Sequence, residues 1–247
     1  MQRLFIRLSA LLGLAALAAC DAPQPIVSAP PPAQVAAAST GSLPEIRQGP
    51  VQPQNVASFR QIVRQMEPVL ERECRTRAPR LNCDFAIQLY GDPRLPPNAF
   101  QTLDDNGRPV LGFTETLVRD VRNADELAFV LGHEAAHHIA GHIERTQANA
   151  TLGAASFGVL AAALGRDAGS VRQAQQLGAA VAARSYSKSF ELEADRLGTI
   201  LTARAGYDPL VGAAYFTRIP DPGNRFLGTH PPNAERIQAV RRAAAGL

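Results

Sequence analysis

The sequence predicts an α+β domain, mostly helical, with a small antiparallel sheet beside one central helix. Three observations carry this. Apolar residues recur at helical spacing from Asn55 to Cys74 and again from Leu127 to His142. Between them, two strand-like runs flank Asp104-Asp105-Asn106-Gly107, a strong turn signal. Alanine, the best helix former, supplies much of an apolar fraction of 46%, ample for a core in a chain of 247 residues.

That length admits one large or two small domains. The net charge is only +3, part of it from Arg3 and Arg7, and the chain has no tryptophan and no basic cluster. Nucleic acid is therefore excluded as a partner.

Arg3 and Arg7 precede the apolar run Leu8 to Ala19, which reads as a secretory signal peptide too short to span a membrane comfortably. The run ends in Leu17-Ala18-Ala19-Cys20, which resembles the bacterial lipobox and implies lipidation of Cys20 after removal of residues 1–19. Asp21 follows; in enterobacterial lipoproteins an aspartate there is associated with inner-membrane retention, a rule that varies, so either membrane remains open. Residues 20–54 are rich in proline and alanine without apolar periodicity and form an expected disordered tether, at up to ~3.1 Å per residue in polyproline-like stretches. The expected location is thus the bacterial periplasm, anchored to the inner or outer membrane through Cys20. With Cys20 lipidated, Cys74 and Cys83 remain, and an oxidising compartment predicts a disulfide between them.

The folded domain is expected over residues 55–247. Its first helix carries Phe59, Ile62, Val63, Met66 and Leu70 on one face, with Pro68 predicted to kink or break it. Phe85 to Tyr90 reads as a strand before a Gly91-Asp92-Pro93 turn, and Asn98 to Leu103 with Val110 to Phe113 reads as a hairpin. Asn123 and Glu126 predict a capping box at the start of the next helix.

That helix holds His133, Glu134 and His137. Residues four apart lie about 40° apart around a helix axis, so both imidazoles leave one face a turn apart and can grip one metal ion. Glu134 lies between them in angle, near enough to act on water without being a ligand, as in zinc peptidases. His138 and His142 point about 140° and 180° away on the same helical wheel and read as surface or packing residues. Metzincins place glycine and a third histidine seven and ten residues after the first; Ala140 and Ile143 stand there, so the third ligand comes from elsewhere. Thr151 to Gly165 reads as a core helix or loosely packed hairpin, against the alternative of a mobile flap or a membrane-contacting segment. Farther on, Glu191 and Asp195 stand four apart on a helix that Gly206 should stop, a candidate carboxylate source that spacing alone does not separate from Glu193 or from a solvated face.

At these residues the chain resembles the gluzincin endopeptidases of metallopeptidase family forty-eight, which include the CAAX prenyl protease, HtpX-type, BepA-like and LoiP-like proteins. The resemblance rests on HEAAH at His133 to His137, ELEAD at Glu191 to Asp195, THPPNAERI at Thr229 to Ile237, and PNAF at Pro97 to Phe100. It implies a mostly helical zincin-type domain with one zinc ion held by His133, His137 and Glu191. Glu134 would be the general base, Asp195 would orient a liganding histidine, and Glu193 would be a spectator. His230 would be a removable fourth ligand or an oxyanion stabiliser, and Arg236 would support its loop or pair with a site carboxylate. Asn98, Ala99 and Phe100 would form an edge strand that receives extended substrate. The implied function is proteolysis of unfolded or misassembled envelope proteins. A chaperone-like or assembly-factor lipoprotein with a regulatory zinc competes with it, as does a structural lipoprotein carrying a fortuitous motif.

Overall fold

The computed structural model describes residues 42–185, 187–223 and 230–247. The signal peptide, Cys20, Thr229 and most of the expected tether lie outside these residues.

Helix α1 (Val56–Arg77) starts where the Asn55 side-chain Oδ1 accepts the Ala57 and Ser58 amides and the Ser58 hydroxyl accepts the Asn55 backbone amide. Pro68 does not break it. Phe59, Ile62, Met66, Leu70 and Cys74 form one buried stripe on both sides of Pro68, whose own ring faces solvent where water can satisfy the freed carbonyl. The expected Cys74–Cys83 disulfide is present and ties the end of α1 to the segment leading into the sheet.

Three strands follow: β1 (Ala86–Tyr90), β2 (Ala99–Leu103) and β3 (Pro109–Thr114), in the order β1-β3-β2. β2 and β3 form the expected antiparallel hairpin, with Ala99 opposite Phe113 and Leu103 opposite Pro109. Its turn is held by Asp104, whose side chain accepts the Asn106 and Arg108 amides, and by Gly107 at φ 76°. β1 departs from the expectation of an antiparallel sheet. It pairs parallel to β3, because the 91–98 connection carries the chain to the opposite edge before the hairpin begins. The buried β3 is central, and among the described residues no other strand pairs with the second edge of β2.

A short helix α2 (Glu115–Asp120) leads to the central helix α3 (Ala124–Ile139). Asn123 caps α3 as predicted by accepting the Glu126 amide. The reciprocal bond differs, because the Glu126 carboxylate takes the Arg122 amide and a buried ion pair with Arg218. After Gly141, at φ 63°, come α4 (His142–Ala163), α5 (Ala168–Ser185) and α6 (Ser187–Arg204). Gly206, at φ 87°, stops α6 as expected. A single turn α7 (Pro209–Gly212), a 3-10 segment Ala213–Thr217 and α8 (Asn233–Ala244) complete the described chain.

Two apolar clusters place α3 at the centre. Met66, Leu70, Phe85, Phe113, Leu127, Leu131 and Leu201 join it to α1, the sheet and α6. Phe129, Leu210, Phe216 and Val240 join its other side to the C-terminal segments. The Thr151 to Gly165 stretch enters neither cluster; it belongs to an α4–α5 hairpin rather than to a core helix. Ser42–Leu247 is one compact unit, and it includes residues 42–54 of the expected tether. The 42–54 segment lies along the domain. Arg241 donates to the Leu43 and Pro44 carbonyls, Arg47 bonds Leu210, and Gln52 bonds Arg122.

Candidate metal centre

The centre is set by how closely α3 and α6 approach. A Cβ on Gly198 would lie 3.0 Å from the backbone of His133, and one on Gly132 would lie 3.0 Å from the Gly198 carbonyl oxygen. Two glycines thus let the helices touch backbone to backbone, which brings the carboxylates of α6 against the imidazoles of α3.

His133, His137 and Glu191 each offer one ligand-type atom, and these atoms lie within 4.8 Å of one another. His133 Nε2 and His137 Nε2 are 3.1 Å apart. Glu191 Oε2 lies 3.5 Å from the first and Oε1 lies 3.3 Å from the second. Glu191 Oε2 is buried without a hydrogen bond of acceptable geometry, although His230 Nδ1 is also 3.1 Å away. Two imidazoles and a carboxylate converging on a common point, with a buried oxygen left over, are the donor set a divalent cation satisfies. Burial pushes Glu191 toward its neutral form, but His133, His137 and His230 outweigh it and hold the carboxyl far below its ordinary range. Burial lowers His133, yet the Asp195 and Glu191 carboxylates outweigh it and raise the imidazole to about 10 without metal.

Asp195, Arg236, Glu134 and His230 lie around these three. Asp195 is fully buried on α6, with Oδ1 3.0 Å from His133 Nδ1. Arg236, on α8, grips both oxygens of Asp195 at 2.7 and 2.8 Å and lies 4.0 Å over the Phe216 ring. It therefore pairs with a site carboxylate. Glu134 bonds neither histidine; burial raises its pKa against the opposing pull of His133 and His137. His230 is half exposed beside Glu191.

Two expectations need correction. His142, expected as a surface or packing residue, is buried and stacked on Phe190, and it also holds its Nδ1 2.8 Å from His137 Nδ1. The helical wheel misplaced it because α3 ends at Ile139 and the left-handed Gly141 turns the chain before α4 begins. Nor is Glu193 a spectator, since its carboxylate lies 3.3 Å from His142 Nε2 and accepts from Arg145 at 2.9 Å. The only signals for this arm were a glycine just before His142 and a third acid in ELEAD. His138 is a packing residue, with Nε2 2.7 Å from the Asn82 carbonyl oxygen and its ring edge-on to Phe85.

A cavity of about 890 Å³ lies on one side of the centre, lined by Asn98, Ala99, Val130, Tyr215, His230 and Arg236 among others. A second, of about 430 Å³, lies toward α4 and includes Gln101, Ile143 and Phe190. Both reach Glu134, His137 and Glu191, so together they flank the three site residues, with β2 contributing to each wall. Phe100 does not line either cavity. Strand alternation turns it to the other face, where it lies on Gly112 and near Tyr90.

A profile for "Peptidase family M48" matches residues 58–244. The chain belongs to peptidase family M48. Among curated M48-type relatives, the "Putative beta-barrel assembly-enhancing protease" of Vibrio cholerae is 32% identical over 136 residues, 50% of this chain and 28% of that protein. "Metalloprotease LoiP" of Escherichia coli is 31% identical over 128 residues, 49% of this chain and 50% of its own length. The "Mitochondrial metalloendopeptidase OMA1" of Arabidopsis thaliana is 28% identical over 131 residues, 51% and 26% respectively. The matched segments span between about a quarter and a half of these relatives. M48 peptidases are metal-dependent, and the cluster of His133, His137 and Glu191 fits that requirement.

Proposed function

We propose that this chain is a zinc endopeptidase of the bacterial cell envelope that cleaves unfolded or misassembled proteins. The observation that carries the reading is the convergence of His133, His137 and Glu191 beside an unengaged Glu134, between cavities edged by β2. A nitrogen-rich set of two imidazoles and one carboxylate suits zinc. When bound, the ion supplies Lewis acidity, which acidifies water and polarises the scissile carbonyl.

The protein's own groups do the rest. Glu134, its pKa raised by burial, takes the proton from the attacking water and delivers it to the leaving amine. The products are one new carboxylate and one new amine. His230, beside Glu191 in the larger cavity, donates a hydrogen bond to the developing oxyanion. Asp195 and Arg236 keep the His133 ring oriented. Extended substrate adds to the free edge of β2 through main-chain hydrogen bonds, so recognition favours unfolded segments over a strict side-chain code.

Envelope placement is supported by the leader with Cys20, by the Cys74–Cys83 disulfide, and by a relative named for β-barrel assembly. Digestion of casein and of an unfolded outer-membrane protein tests the enzyme. Wild type should cleave both, whereas Glu134→Gln should retain one zinc per chain and lose cleavage by at least 100-fold, on the scale of a lost general base. Zinc-loaded wild type that cleaves neither substrate would refute the proposal.

A further inference from the structure

Helices α4 and α5 pack mainly on each other, and between Ile143 and Ser185 only Gly158, Ala161 and Gly178 are buried. The reason lies in the inner seam. A Cβ on Gly153 would meet the Gly178 carbonyl oxygen at 2.2 Å, and one on Gly178 would meet that of Gly153 at the same distance. Backbones this close crowd the seam, where Phe157 lies over Gly178 and Gln175 over Gly158, and the other large apolar side chains stand outward. Leu152, Val159 and Leu160 on α4 and Leu164 just after it are 60–71% exposed, and Leu177 on α5 is 57% exposed. These five make up half of the ten large hydrophobic side chains that stand exposed among the described residues. Near the tip, Phe157, Leu160, Leu164 and Ala174 line a cavity of about 390 Å³ together with Arg166 and Ser170.

Charge says what such a surface meets. From Thr146 to Ser185 the charged residues are Arg166, Asp167, Arg172 and Arg184. The single acid is already engaged in capping α5, accepting the Gly169 and Ser170 amides and the Ser170 hydroxyl. Arg166 and Arg172 are exposed and form no salt bridge among the described residues. Apolar tips ringed by unneutralised arginines complement an anionic lipid surface, where aliphatics enter the acyl boundary and guanidiniums meet phosphates. A second copy of the same tip would oppose arginine to arginine. No helix of the described residues is long and apolar enough to cross a membrane, which fits contact rather than spanning.

We propose that the tip of the α4–α5 hairpin docks on anionic phospholipid, independently of any lipid on Cys20 and of the metal centre. The test uses the full chain with Cys20→Ser and Leu160→Cys, labelled with an environment-sensitive fluorophore; Cys74 and Cys83 are bonded to each other, so the new thiol alone reacts. A probe at Arg94→Cys, in an exposed loop near β2, serves as the control. Vesicles of phosphatidylethanolamine and phosphatidylglycerol should shift emission to the blue at position 160 and not at 94. Adding Arg166→Glu and Arg172→Glu should weaken the partitioning by at least about ten-fold, from roughly 1 kcal/mol per basic residue at an anionic surface. No shift at 160 would overturn the proposal. So would an equal shift with phosphatidylcholine vesicles, or a shift without vesicles that grows with protein concentration, which would mark a second copy as the occupant.

Discussion

The two histidines of the HEAAH helix are held in opposite ways. His133 is backed by Asp195, which is fully buried and clasped by Arg236 from a third helix. His137 is backed by His142, and behind it the chain passes to Glu193 and Arg145, whose side chains are 40% and 46% exposed. One arm is a dry charge pair and the other reaches water. A buried pair is costly to break, because the survivor keeps its charge without a partner, whereas exposed pairs contribute ~0–1 kcal/mol. The fold therefore concentrates stability behind His133 and leaves His137 adjustable.

The largest effect expected on breaking this asymmetry is from Arg236→Ala, which strands Asp195. Unfolding in urea should show a loss of about 3–5 kcal/mol in the metal-free protein; a loss under 1 kcal/mol would mean the dry arm is not what it is taken to be. Gly198→Ala should come next. Its methyl must push α6 away from the His133 backbone, so zinc affinity measured against a chelator should fall while the domain stays folded. His142→Phe fills the same space without the ring nitrogen at His137. It should lower zinc affinity by about 10- to 100-fold with a smaller change in stability than Arg236→Ala. Glu193→Gln, at the wet end, should change affinity least and only at low salt.

pH divides the arms as well. Burial and the neighbouring His137 lower His142 to about 4 against the pull of Glu193. The unfolded chain therefore takes up a proton near pH 6.5 that the folded chain refuses until about pH 4, and stability contributed by neutral His142 drains away across that window as pH falls. His133 runs the other way. Its raised pKa, about 10, stabilises the metal-free protein below pH 6.5, and that contribution is lost as pH rises through 10. Thermal melts of metal-free wild type and His142→Phe across pH 4–7 check the first statement; identical acid slopes would contradict it.

How much of this was legible in the sequence follows the same divide. Contacts within a helix were readable: the His133 and His137 pair, the Asn123 cap and the buried stripe of α1 follow from a period of 3.6. The disulfide followed from cysteine arithmetic. The third ligand needed the family resemblance, because Glu191, Glu193 and Asp195 are equivalent by spacing until α6 is laid against α3. What escaped depends on chain reversals and close approaches. The helical wheel for His142 continues α3 past the point where Gly141 turns the chain, and the parallel pairing of β1 with β3 spans residues 91–108, which leaves no local pattern. Gly132 and Gly198 look like defects in helices until their partners are known.

X-ray absorption on the zinc-loaded protein tests the central claim most directly. One zinc per chain is expected, with two imidazole nitrogens and oxygen neighbours at about 2.0–2.2 Å, and with Glu191→Gln sharply weakening retention. Zinc bound through sulfur, or held undiminished by a variant lacking both His137 and Glu191, would contradict the account.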